Sequence, residues 1–159
     1  MTLNDVLLHS HRQIAQIGEQ LLSAQDYPQQ VVYFEQLWQH FLIHEQAEEY
    51  VAFQVMQNSG KTAHRDTERA LEFAVHEHHD FESFIEDIAL LPEDETLINQ
   101  HQQLFKALCE KITRHMQHEE THIFPQLMAQ LTNEQHEQLA SAYIDKCREL
   151  NKTQTKRVI

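Results

Sequence analysis

The chain is predicted to be all-α, an up-down four-helix bundle with a short additional C-terminal helix. Its 159 residues include only two Gly and three Pro, while Gln, Glu, Leu and Ala are plentiful; that is too little turn chemistry for a strand-rich fold and ample material for long helices. Apolar residues also recur at three- and four-residue spacing, the period of a helix with one buried face. Where that pattern breaks, helix start and stop signals stand. The length suits one domain with a real core, placed at residues 1–150 with 151–159 as a flexible tail.

The first helix is predicted from about Leu3 to Ser23, on a stripe of Leu3, Leu7, Ile14, Ile17 and Leu21 with His11 in its gap. Asp26-Tyr27-Pro28 supplies a turn and a proline suited to a first helical position. The second helix runs from about Pro28 to the stop sequence Asn58-Ser59-Gly60. Its apolar face, Phe34, Leu37, Trp38 and Phe41, leads into His44 and Glu48 and resumes at Ala52 and Val55. The third is predicted over Thr62 to Leu90, where Leu71, Ala74, Phe81, Ile85 and Ile88 share a stripe whose polar member is His78. Leu91-Pro92 ends it, and Glu93-Asp94-Glu95 place negative charge at the positive start of the fourth helix. That helix carries Leu104, Leu108 and Ile112 into His115, Glu119 and His122, and Pro125 should kink or end it. Thr132-Asn133-Glu134-Gln135 resembles a capping box and opens a fifth helix to about Leu150, with Leu139, Tyr143 and Cys147 on its apolar side.

A formal charge of −13, from 12 Lys and Arg against 25 Asp and Glu, excludes nucleic acid and anionic membrane surfaces as expected partners. Five of the basic residues fall in the last fourteen positions, which leaves the body more acidic still. Cys109 and Cys147 stand far apart and suggest neither a Cys-type zinc knot nor a redox pair. The N-terminus has no basic region followed by a long apolar run, and no later segment reaches membrane-spanning length, so a cytoplasmic location is expected.

Thirteen histidines is the abnormal count. Six of the site candidates arrange themselves through an internal echo. His44-x-x-x-Glu48-Glu49 returns as His115-x-x-x-Glu119-Glu120 at an offset of 71 residues, and His9-Ser-His11 lies over His76-Glu-His78 at an offset of 67. In His-x-x-x-Glu the two groups sit one turn apart on one helix face and can reach a common point, whereas Glu49 and Glu120 are rotated by roughly 100° and expected to face outward. Two halves thus aim four imidazoles, His11, His44, His78 and His115, and two carboxylates, Glu48 and Glu119, at the bundle axis. Buried polar groups of this kind cost several kcal/mol each unless paired. Without a thiolate the set suits iron or manganese better than structural zinc. These residues do not fill two octahedral ions even with both carboxylates bridging, which leaves room for an exogenous ligand.

Some positions stay open. His122 lies on the stripe beyond Glu119 and is read as a fifth imidazole or an outer hydrogen-bonding partner; Glu45 and His40 are adjacent to the set in the same sense. A one-residue slip would make His79 the ligand in place of His78. His9, His64, His101, His118 and His136 read as solvated, and Trp38, Phe41 and Phe81 as core that can wall the site from water. His118-Glu119-x-x-His122 also matches the zinc-peptidase pattern, but no strand is readable to hold a peptide beside it. A ferritin-like ferroxidase needs two Glu-x-x-His motifs, and Glu119-x-x-His122 supplies one.

The set His11, His44-x-x-x-Glu48, His78 and His115-x-x-x-Glu119, with the ending Glu-Glu-x-x-x-Phe-Pro, resembles the hemerythrin-like, HHE cation-binding domain over roughly Leu3 to Leu131. The resemblance implies a four-helix bundle around two iron ions, an oxo- or hydroxo-bridged di-iron centre spanned by two carboxylates. Oxygen carriers of the family have two histidines four apart on the third helix and an Asp-ended fourth motif. Here Ala74 stands four before His78, and the last motif ends in Glu119, closer to the bacterial members. The expected partner is accordingly a small diatomic molecule or peroxide, bound for sensing, scavenging or iron and oxygen handling. The alternative is an enzyme that detoxifies peroxide, in a catalase-like way, or nitric oxide at the same centre.

Overall fold

The computed structural model describes residues 1–58, 65–92 and 94–157, and among these it is helical throughout with no strand. Helix α1 spans Leu3–Ser23, α2 Tyr27–Asn58, α3 Arg65–Ala89, α4 Ile98–His118, α5 Phe124–Met128 and α6 Asn133–Arg157. A π-helical turn, Glu119–Ile123, joins α4 to α5, so the fourth long rod of the bundle runs from Ile98 to Met128. The stop signal at Ser59-Gly60, the start at Thr62, His64 and Glu93 lie outside the described residues.

The helix starts follow side-chain chemistry. Thr2 and Asp5 form a reciprocal capping box on α1, with Thr2 N–H to Asp5 Oδ2 at 2.9 Å and Asp5 N–H to Thr2 Oγ1 at 3.2 Å. Asp26 Oδ1 accepts from Gln29 N–H at 2.9 Å at the start of α2. The expected box at Thr132 and Gln135 is present, with bonds of 2.9 and 3.2 Å, and the helix it opens continues past Leu150 to Arg157. Each such cap satisfies amide donors that the first helical turn leaves unpaired.

The π turn lies just before Pro125. A proline has no N–H for the carbonyl four residues back, and its ring crowds that carbonyl. The helix widens there, and the Phe124 N–H reaches back five residues to the Glu119 carbonyl. One extra residue in the turn changes which side chains face inward. Ile123, Phe124 and Leu127 are buried, and His122 is turned out to solvent.

The core is split in two. One apolar cluster, built on Leu3, Leu7, Val51, Ile123, Phe124 and Leu127, also receives Leu139 and Tyr143 from α6. The other holds Ile14, Leu37, Phe41, Phe81, Ile85, Phe105 and Leu108. In α1 the sequence passes from Leu7 to Ile14 through His11, and in α2 from Phe41 to Ala47 through His44 and Glu45. His78 and His115 occupy the corresponding gaps in α3 and α4, so a polar layer separates the two clusters. Helix α6 packs on α1 and α2. His101, expected to be solvated, is instead 4% exposed: its Nε2–H donates to the Pro92 carbonyl at 3.2 Å and its Nδ1 bonds the Tyr27 hydroxyl at 3.1 Å. No described helix is long and apolar enough to cross a membrane.

Candidate metal centre

All six expected ligands lie in the polar layer, each at most 3% exposed. They do not form two equal halves. His11, His44, Glu48 and Glu119 offer donor atoms within 4.8 Å of one another, and a second group within the same limit is Glu45, His78 and His115. The paired Nε2 atoms face each other in each group, His11 to His44 at 3.0 Å and His78 to His115 at 3.2 Å.

Glu119 lies between the groups. Its Oε2 is 3.2 Å from His11 Nε2, while its Oε1 is 2.8 Å from His115 Nε2 and 3.5 Å from His78 Nε2. Glu48 Oε2 stands 3.1 Å from His44 Nε2. Glu45 Oε1 is 3.6 Å from both His78 and His115 Nε2. Glu45 therefore belongs to the cluster. The signal was its spacing of three from Glu48, which puts both on one face of α2; at the equivalent place in the second half stands the apolar Met116.

The other open positions resolve outward. His40, His79 and His122 are exposed. The His118 and His122 rings approach to 5.0 Å at the surface, with Glu119 turned away from them toward the interior groups. Phe41 and Phe81 pack edge to face at 4.9 Å and both lie against His115, while Phe124 covers His11 at 5.3 Å. Of the expected aromatic wall, Phe41 and Phe81 lie against the site, Phe124 joins them, and Trp38 packs on Phe34 instead. A cleft of about 630 Å³ between α2 and α3, lined by Ala52, Phe53, Met56, Leu71 and Ala74, opens onto Glu48 and His78.

Around the cluster the outer ring nitrogens find partners. His11 Nδ1–H donates to Glu120 Oε1 at 2.7 Å, and His78 Nδ1–H donates to Glu49 Oε1 at 2.8 Å. Glu49 and Glu120 therefore do not simply face water, as their rotation on the helix suggested. His44 Nδ1 bonds the Tyr143 hydroxyl of α6 at 2.8 Å. His115 Nδ1 has only an ion-pair contact, 3.5 Å to Glu77.

The electrostatics are those of a site that wants a cation. Burial opposes a charge on His78, yet its contacts with Glu119 and Glu49 prevail and push its pKa up to about 11. Burial would raise Glu119, but His11, His115 and His78 hold its carboxyl well below the usual range. Glu45, by contrast, is pushed well above the ordinary carboxylate value by burial. Both oxygens of Glu45, both of Glu119 and Glu48 Oε2 are buried without a hydrogen bond. Orphaned carboxylate oxygens converging with imidazole Nε2 atoms are what a metal ion satisfies, and the all-nitrogen-and-oxygen donor set fits iron or manganese.

A helical bundle carrying buried His and Glu donor groups on four facing elements defines a metal-binding bundle protein. The family model for the hemerythrin HHE cation-binding domain matches residues 2–127, and the chain belongs to that family. No curated protein and no solved structure matches it.

Proposed function

We propose that the chain holds two iron ions and uses them to bind oxygen, nitric oxide or peroxide. One ion is assigned to His11, His44, Glu48 and Glu119, the other to Glu45, His78, His115 and the second oxygen of Glu119. The observation that carries this reading is the pair of buried donor groups with Glu119 between them, its two oxygens directed to different histidines. Iron there would supply a redox-active centre with positions open to a small ligand. The residues of the chain do the rest. Phe41, Phe81 and Phe124 keep water from the imidazoles, and the cleft at Glu48 and His78 gives an approach from α2 and α3. A ligating Glu45 must be the carboxylate, the form that its burial disfavours, so metal uptake works against that burial.

Binding for sensing or scavenging is favoured over the alternative, turnover of peroxide or nitric oxide at the same centre. The two residues suited to act as acid or base above the metals do not stand there: His122 is exposed, and Glu45 sits within a donor group. Metal analysis together with an absorption spectrum, recorded with and without azide, tests the proposal. About two irons per chain and an azide-dependent change in near-ultraviolet absorption are expected from this donor set. A single zinc per chain, or no metal after iron loading, would sink it.

A further inference from the structure

The geometry points to Glu49 and Glu120 as a crossed pair of positioning residues, each holding the lone histidine of the other half of the chain and so setting the affinity of one ion. The inference rests on the two-ion reading above. Glu49 follows the donor Glu48 in α2, yet its Oε1 accepts from His78 of α3 at 2.8 Å. Glu120 follows the donor Glu119, yet its Oε1 accepts from His11 of α1 at 2.7 Å. The 71-residue echo that relates His44 to His115 and Glu48 to Glu119 relates these two carboxylates as well.

Their chemistry differs from that of the other outer partners. A carboxylate only accepts, so the ring proton is held on Nδ1 and the Nε2 lone pair is left for the donor group. Both distances lie in the charge-assisted range. His44 has a neutral phenol as its partner, and His115 Nδ1 has no hydrogen bond. Each donor group therefore contains one imidazole backed by a hydrogen-bonded carboxylate, His11 in the first and His78 in the second. Such backing fixes the ring and strengthens it as a donor, and its loss typically costs about tenfold to a hundredfold in metal affinity.

The alternative is that the two carboxylates only clamp neighbouring helices. Titration of metal-stripped protein with cobalt(II), followed by its visible absorption, separates the two. Glu120→Ala should weaken one ion by about tenfold to a hundredfold and leave the other within about twofold, while Glu49→Ala should do the reverse. Glu120→Gln, which still accepts the Nδ1–H without a charge, should fall between, and it carries the test if the alanine variant does not fold. In a His11→Ala background Glu120→Ala should cause no further loss, and in a His78→Ala background its full loss. If each substitution lowers only the melting temperature of the stripped protein, or weakens both ions alike, the crossed pair is wrong although the two-ion reading survives. If the unaltered protein takes up fewer than two cobalt ions, both fall.

Discussion

In the proposed two-ion centre, Glu45 is the residue at which binding and folding pull in opposite directions. Its carboxyl is 2% exposed, neither oxygen is hydrogen bonded, and burial drives its pKa up. A buried polar group left unpaired costs about 1–3 kcal/mol, so Glu45→Met, which copies the Met116 of the second half, should raise the stability of metal-stripped protein by an amount of that order. The same change should abolish or sharply weaken one of the two ions. Thermal unfolding of stripped protein and metal analysis of loaded protein check the two halves of this expectation; a variant that keeps both ions would remove Glu45 from the centre. His11, His44, Glu48, His78, His115 and Glu119 were legible as one buried polar set because the echo repeats the same three positions in each half. Glu45 was less so, since the repeat breaks at that position. His101 misled for a different reason: its burial depends on Tyr27 and Pro92 meeting it across the end of the bundle, which no local pattern records.

Among the elements, the rod from α4 to α5 departs most from the sequence reading. Pro125 announced an irregularity, but the periodicity of 3.6 put His122 on the buried stripe, and the π turn moved it off. A one-residue widening cannot be counted from apolar spacing alone, because either phase leaves some apolar residue facing inward. Helix α1 offers a cleaner forecast. Gly18 is buried in its interior, and a methyl group added there would meet Cys109 Sγ at 3.6 Å, an ordinary contact. Gly18→Ala should therefore stabilise the protein by roughly 0.5–1 kcal/mol through helix propensity and a less flexible unfolded chain. Chemical denaturation measures it, and a loss of stability would mean that the α1 and α4 surfaces are closer than described. The turn at Asp26, the capping box at Thr132 and the helical periodicity made the described elements readable to within a few residues, apart from the rod from α4 to α5 and the outer reach of α6.

For the whole molecule, the polar layer between the two apolar clusters decides how the bundle comes apart. With cations bound as proposed, seven side chains from the four rods of the core would be tied together through two neighbouring donor groups, and a ligand that binds only the folded chain adds about 2.7 kcal/mol at a concentration a hundred times its dissociation constant. Stripping the metal should lower the melting temperature, which differential scanning calorimetry reads directly. It should also divide the protein into two cooperative units. Amides of α1 and α2 beside Leu3, Leu7 and Val51, together with α6, would then exchange with solvent at rates unlike those beside Ile14, Phe41 and Phe105, while in loaded protein the two sets would exchange together. Hydrogen exchange that stays uniform after metal removal would contradict this. The centre would then be more than a binding site: metal supply would govern the cooperativity of the fold, and a chain short of metal would present proteases with one end of the bundle opening ahead of the other.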